Sequence, residues 1–438
     1  MWKSVLKQIW NRKRSNVWIA LELLPVFCLT WYMMDYLFVL ACNYSIPNHR
    51  SVENTWQINL AEFDKNHPEY QTEADSPETL EANYARILQT LRNYPGIESV
   101  GISFDGSTPG GGSYFGRGFR NARDTTRTAG GQSITVDPGN DYFKVFRLSA
   151  ENGQKPVSTA DFEWAPGGVI LSRSAANALF PGENAFGREL ETGGGSRGSA
   201  PGYSENKYTV IGVIDDCKRF DHLRPQHWFY IPRRLDAGNL RNAEISVRYH
   251  PSLSGPKFAE QFKTDMTAAL QIGNFYLLSI VSYAKIGHDT DRRFGLDNDI
   301  RLRVCLMIFF LLCIFLCVMG AFWYRVSLRP NEIGLRKAMG ATSAGIHSGL
   351  MIEGVWLLLL ITLPAMLTEY QFVHAGLIDT LGRDRAPDPA YLPDRTVPRF
   401  LLTNALTFLL LLAVILSAIR LPARKAASLP PAEALHYE

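Results

Sequence analysis

Residues 304–324 read VCLMIFFLLCIFLCVMGAFWY, with no charged side chain. A helix of about 20 such residues crosses the ~30 Å hydrocarbon core of a bilayer, and an apolar run this long has few other places to go. Residues 400–419 repeat the feature, and 346–367 do so with Glu353 as the only acid. A weaker run, 17–41, is interrupted by Glu22 and Asp35. The mean hydropathy of the chain is −0.08, as in a water-soluble protein, only because the polar middle offsets these runs. The expectation is a membrane protein with four transmembrane α-helices and a large α/β extracytoplasmic domain inserted between helices 1 and 2.

The first run is read as an uncleaved anchor. It is longer than the apolar core of a signal peptide, carries two acids and lacks a small-x-small cleavage site. Cys28, Cys42, Cys305, Cys313 and Cys317 fall in or beside the apolar runs, where thiols act as small apolar fillers. Cys217 stands alone in the polar middle, so no internal disulfide is expected there, and no CxxC or Cys/His metal spacing is present. A net charge of +3 gives no reason to expect a nucleic-acid partner.

Charge orients the spans. Lys3, Lys7, Arg12, Lys13 and Arg14 precede the first, and positive flanks stay cytoplasmic. Four crossings return the C-terminus to the same side, where Arg420, Arg424 and Lys425 follow the last run. Arg325, Arg329, Arg336 and Lys337 against Glu332 mark the loop between spans two and three as cytoplasmic too. Trp2, Val5, Leu6, Ile9 and Trp10 recur at helical spacing opposite Lys3 and Lys7, which suits a helix lying in the membrane interface. The expected order is therefore an amphipathic interfacial helix (1–16), span one (17–41), the extracytoplasmic domain and its stalk (42–303), span two (304–324), a cytoplasmic loop (325–345), span three (346–367), an extracytoplasmic loop (368–399), span four (400–420) and a cytoplasmic tail (421–438).

Within the polar middle, β-branched and aromatic pieces bounded by Gly, Pro or Asp predict strands at 97–104, 132–136, 168–171, 208–214, 228–231 and 244–249. Apolar stripes predict helices at 77–94, 172–180 and 256–270. Residues 105–131 and 191–206 read as loops, and 280–303 as a polar helix running straight into span two. Glu22 and Asp35 admit two readings. Either they make polar contacts inside the bundle, or Glu22 reaches the inner headgroups and Asp35 the outer ones.

Several motifs carry no chemistry. Gly193 to Gly198 matches G-x-G-x-x-G but lacks the strand–turn–helix setting of a dinucleotide site. Ala129 to Ser133 faintly echoes an ATPase signature, yet the chain holds no G-x-x-x-x-G-K-[ST]. His222, His227 and His374 are scattered, and no G-x-S-x-G elbow occurs. No catalytic constellation, cofactor site or metal site is expected, so the chain is read as a non-enzyme.

The segment from Arg329 to Thr342, RPNEIGLRKAMGAT, is different. Pro330 suits a helix start, Glu332 lies near the positive helix end, Arg336 and Lys337 lie near the negative one, and Gly340 is a natural stop. Arg329, Glu332, Ile333, Gly334, Leu335, Arg336, Lys337, Ala338, Gly340 and Ala341 resemble the cytoplasmic signature of the FtsX/MacB-type ABC transporter permeases. Glu353 matches an acid often carried by that family just inside the next span. Asp141 to Phe146, Ile170 to Phe180 with Phe186 to Arg188, and Tyr208 to Ile214 are similar to its MacB-like periplasmic core domain, in the family's order. The style of span one resembles stand-alone versions found in Bacteroidetes. The resemblance implies a mechanotransmission permease in the bacterial inner membrane, with both termini cytoplasmic. Its partners would be a cytoplasmic ABC ATPase that binds the ATP, a second permease chain (homodimer or heterodimer), and in some members a periplasmic adaptor. Arg329, Glu332, Ile333, Gly334, Arg336, Lys337, Gly340 and Ala341 would couple to the ATPase. The cargo implied is peptides, lipoproteins or amphiphilic compounds; regulation of a cell-wall hydrolase or ligand sensing are the alternatives.

Overall fold

The computed structural model describes residues 13–106, 108–111, 113, 115–150, 155–192, 207–253, 255–377 and 391–428. Residues 1–12 of the expected interfacial helix, the glycine-rich stretch 193–206, residues 378–390 and the tail 429–438 lie outside the described residues. In chain order the elements are α1 (Lys13–Ser45), β1 (Thr55–Glu62), α2 (Pro77–Asn93), β2 (Ile97–Phe104), β3 (Gly116–Asn121), β4 (Thr128–Val136), α3 (Tyr142–Val145), β5 (Ser149–Ala150), β6 (Lys155–Pro156), β7 (Gly168–Ser172), α4 (Arg173–Leu179), β8 (Glu189–Thr192), β9 (Lys207–Ile214), β10 (Trp228–Pro232), β11 (Glu244–Tyr249), α5 (Gly255–Ala269), β12 (Phe275–Ser282), α6 (Tyr283–Arg293), α7 (Leu296–Ser327), α8 (Pro330–Ala338), α9 (Ser343–His374) and α10 (Thr396–Ser428). They form two compact units, Tyr44–Gly295 and the remainder.

In the helical unit, α1, α7, α9 and α10 are each long and apolar enough to cross a membrane. Leu23 and Phe27 of α1, Val318 and Phe322 of α7, Leu358 and Ile361 of α9, and Leu411 and Ile415 of α10 share one core. The opposite side of α7 presents Leu306, Ile308, Phe309, Leu312 and Leu316 outward. Such a continuous apolar face is untenable in water and suits lipid tails. Lipid supplies little hydrophobic drive between helices, so close backbone approach matters. Gly354 provides it: a Cβ there would lie 2.2 Å from Ile419 Cδ1. The helices outrun their apolar cores. In particular α9 continues to His374, so Glu369 is helical although the sequence placed it in a loop.

The other unit is α/β. Ser76 caps α2 by accepting from Thr79 N, Pro77 fills the first turn, and Leu80, Tyr84, Ile87, Leu88 and Leu91 are buried as their spacing predicts. The sheet runs β10-β7-β9-β8-β3-β4-β2-β11-β1-β12, and β10 also pairs in parallel with β4. Six strands therefore close into a ring around Phe119, Val169, Leu171, Val210 and Phe229. The other four extend from β4, with α2 and α5 packed through Ile87, Leu91 and Phe262 onto Ile102 and Val247.

Two further expectations fail. Residues 105–131 are not all loop, because β3 and the start of β4 lie there. Nor is 280–303 one helix: β12 ends at Ser282, α6 ends at Arg293, and Gly295, with φ +74°, precedes α7. The hydrogen bonding of β12 to β1 outweighs the helical pattern at 280–282.

Candidate functional site

The segment from Arg329 to Thr342 folds as the short helix α8, held between two membrane-length helices. Arg329 is its N-cap residue, Pro330 opens it, and Gly340 (φ +92°) ends it, with Ala341 N–H bonding back to the Arg336 carbonyl at 2.9 Å. Gly340 takes a left-handed conformation that any side chain would strain. Thr342 then caps α9, its Oγ1 accepting from Gly345 N at 3.1 Å. The turn is thus written residue by residue, and both helices it joins have defined ends.

One face of α8 is anchored. Ile333 is buried against Val326, Ile346 and Ala426, and Gly334 beside it is buried as well. Lys337 Nζ and Ser343 Oγ both donate to the carbonyl of Ala427, at 2.7 and 2.9 Å, tying the helix to the end of α10. The other face is open. Arg336 pairs with Glu332 one turn earlier at 2.6 Å, and Leu335 and Met339 are 54% and 72% exposed. An isolated helix of this length is unstable, so its order comes from these anchors.

Behind α8 opens a cleft of about 410 Å³, walled by Arg325, Arg329, Glu332, Arg336 and Glu353. Glu353 of α9 accepts from Arg325 of α7 at 2.6 Å, with both side chains nearly buried (12% and 7% exposed). Glu353 is thus the acid half of an ion pair that links α7 to α9 directly above α8. Its partner Arg325 was visible in the sequence only as one of several positive flanking residues.

The other intramembrane acids part company. Glu22 is exposed on the outside of α1 and accepts from the Cys317 thiol. Asp35 is inside the bundle (2% exposed), where Arg399 of α10 grips it through Nε, at 2.9 Å, and Nη2. Trp31 Nε1 donates to Thr403 Oγ1 at 2.9 Å one turn away, and Tyr391 OH donates to Asn43 Oδ1. A polar contact inside the bundle was one of the two readings of Asp35, but its partner Arg399 and the seam around the pair were not foreseen. Its signal was the spacing Arg399, Thr403, Thr407, a polar stripe continuing one face of an apolar helix. Among the described residues no three His, Cys, Asp or Glu side chains group to hold a metal.

Four membrane-length helices joined to an α/β domain define a polytopic membrane protein. The model of the MacB-like periplasmic core domain matches residues 43–265. The chain belongs to that family, the MacB/FtsX-like ABC permeases, a family that works with an ABC ATPase in general. Among solved structures, a domain from Porphyromonas gingivalis shares 14% identity over 54% of this chain and 93% of its own, with TM-score 0.31. The periplasmic region of MacB from Actinobacillus actinomycetemcomitans shares 15% over 55% and 93%, with TM-score 0.29. The extracellular domain of the noncanonic ABC-type transporter YknZ from Gram-positive bacteria shares 16% over 52% and 100%, with TM-score 0.28. No curated protein matches the chain.

Proposed function

We propose that the chain is the permease subunit of a mechanotransmission ABC system, in which ATP hydrolysis by a separate ATPase moves α8 and, through it, the membrane helices and the extracytoplasmic domain. The supporting observation is the two-sidedness of α8. Its inner face is fastened to α7, α9 and α10 by Ile333 and Lys337, and the neighbouring Arg325–Glu353 pair ties α7 to α9. Its outer face offers Leu335 and Met339 beside a charged pair, the mix of apolar anchor and polar rim that interfaces use. A push on the outer face is delivered to three long helices at once.

In this reading α8 faces the cytoplasm of a bacterial inner membrane, two permease chains bind two ATPase subunits, and the ATPases hold the ATP. The work is done on peptides, lipoproteins or amphiphilic compounds on the far side of that membrane. The test is co-reconstitution with the ABC ATPase encoded nearest to this gene, followed by phosphate release. Leu335→Asp and Met339→Asp alter exposed positions and leave folding within about 0.5 kcal/mol of the parent. They are expected to abolish ATPase binding and its stimulation, as are charge reversals at Glu332, Arg336 and Lys337. Hydrolysis indifferent to all of them sinks the coupling role. If coupling holds, loss of a wall-hydrolase activity without any exported solute would assign the work to hydrolase control.

A further inference from the structure

Glu369 lies in the last two turns of α9 and is fully buried, at 0% exposure. It continues the buried face of Leu358, Ile361 and Ala365, so helical spacing aims it into the bundle. Asn404 of α10, itself 3% exposed, faces it. Among the described residues neither carboxyl oxygen of Glu369 has a hydrogen-bond partner, and neither has Oδ1 of Asn404. The orientation of the amide is fixed by its other end, since Nδ2 donates to the Phe400 carbonyl at 3.1 Å. Three buried acceptor atoms thus stand without a donor, and an ionised carboxylate has none to offer.

Charge leads to the same place. Among the described residues the titratable groups facing Glu369 are Cys28 and Asp35 of α1. The nearby cation, Arg399 of α10, is already bound by Asp35 and by the Pro393 carbonyl. An uncompensated carboxylate inside a membrane bundle is among the costliest arrangements a protein can hold. A bridging water would satisfy both acceptors and leave the charge in place. A proton removes the charge and supplies the missing donor together.

We infer that Glu369 and Asn404 form a proton-binding site inside the bundle, in which the Glu369 carboxyl O–H donates to Asn404 Oδ1 and holds α9 to α10. The proton is taken from water and returned to it, and no other bond changes. Its release leaves a bare carboxylate buried in the bundle, so the two helices part or admit water at that level. Glu369 and α8 lie at opposite ends of α9, and the site does not depend on the ATPase-coupling role proposed above.

The test is infrared difference spectroscopy on the full chain in lipid nanodiscs, titrated from acid to alkaline pH. A protonated-carboxyl C=O band is expected at neutral pH in the parent and is expected to be missing in Glu369→Gln, which keeps the size of the side chain and a neutral donor. If that variant does not fold, Asn404→Leu serves, because the same band must then move to higher frequency as its hydrogen bond is lost. Thermal unfolding is the second readout. The contribution of Glu369 to the parent's stability should be complete at acidic pH and be lost as pH rises and the folded-state proton leaves, and Glu369→Gln should not show that loss. A carboxylate band at neutral pH assigned to Glu369, or a band unmoved in Asn404→Leu, overturns the proposal. So does stabilisation by sodium or potassium over choline that disappears in Glu369→Gln, since a metal cation would then be the occupant.

Discussion

Asp35 and Arg399 are 364 positions apart in the sequence and form one bidentate pair in the bundle. Removing one partner leaves the other buried and uncompensated, a loss of about 3–5 kcal/mol, whereas replacing both with apolar residues of similar volume is nearly neutral. Asp35→Ala is therefore expected to unfold at a clearly lower temperature in detergent, and Asp35→Leu combined with Arg399→Met to recover most of that loss. Outside the membrane-length helices, Tyr70 OH donates to Asp75, whose carboxyl is held below its usual range first by that bond and then, against a smaller effect of burial, by Asn274 and Arg241. A carboxyl that ionises more readily folded than unfolded adds stability that is complete above the unfolded carboxylate range. That contribution disappears as pH falls through the depressed value. Tyr70→Phe removes the leading cause, so acid unfolding followed by circular dichroism should begin at a higher pH than in the parent. Arg248 shows what the sequence hides at this scale. It is fully buried, burial pushes its guanidinium down to about 10, and it donates to the carbonyls of Val145, Glu53 and Ser51. Nothing in the local pattern of β11 distinguishes it from a solvent-facing strand arginine, just as nothing near Asp35 named its partner.

At the level of elements, α9 and α10 meet where Gly354 leaves room for Ile419. Gly354→Leu forces them apart, and overpacking of this kind costs about 1–3 kcal/mol. The expected result is a lower unfolding temperature and a reduced yield of a disulfide engineered between the two helices, with Gly354→Ala intermediate. How legible each element was follows from where its information lies. β2, β11 and α2 were readable because alternation, or a 3.6-residue stripe, is written within each segment. β3 was not: Gly-Arg-Gly-Phe-Arg-Asn has one apolar side chain, Phe119, and becomes a strand because β4 and β8 flank it. The turn of α8 was readable for the opposite reason, since Pro330, Gly340 and Thr342 act on their own backbone. Its anchoring to Ala427 is tertiary and could not be seen. Glu369 escaped because hydropathy marks where an apolar run stops and not where the helix does.

For the whole molecule, the charge asymmetry around the long helices predicts an orientation that labelling can check. In a cysteine-free background, a cysteine at Leu335 is expected to react with an impermeant maleimide only after the cells are opened, and one at Glu78 in α2 before it. The reverse pattern would turn the chain over. The four membrane-length helices were legible from run lengths, while the ring of six strands was not, because it depends on β10 lying in parallel beside β4 across a long stretch of chain. That ring also decides how the sheet meets its surroundings. A sheet closed on itself has no free margin on that side, so the row of open backbone groups is confined to the far end, at β12. Alternate amides of β12 should exchange with deuterium quickly while those of β2 and β11 stay protected. Unwanted strand-to-strand aggregation of the isolated domain should begin at β12, where Leu278 is exposed, and a lysine in place of Leu278 should suppress it.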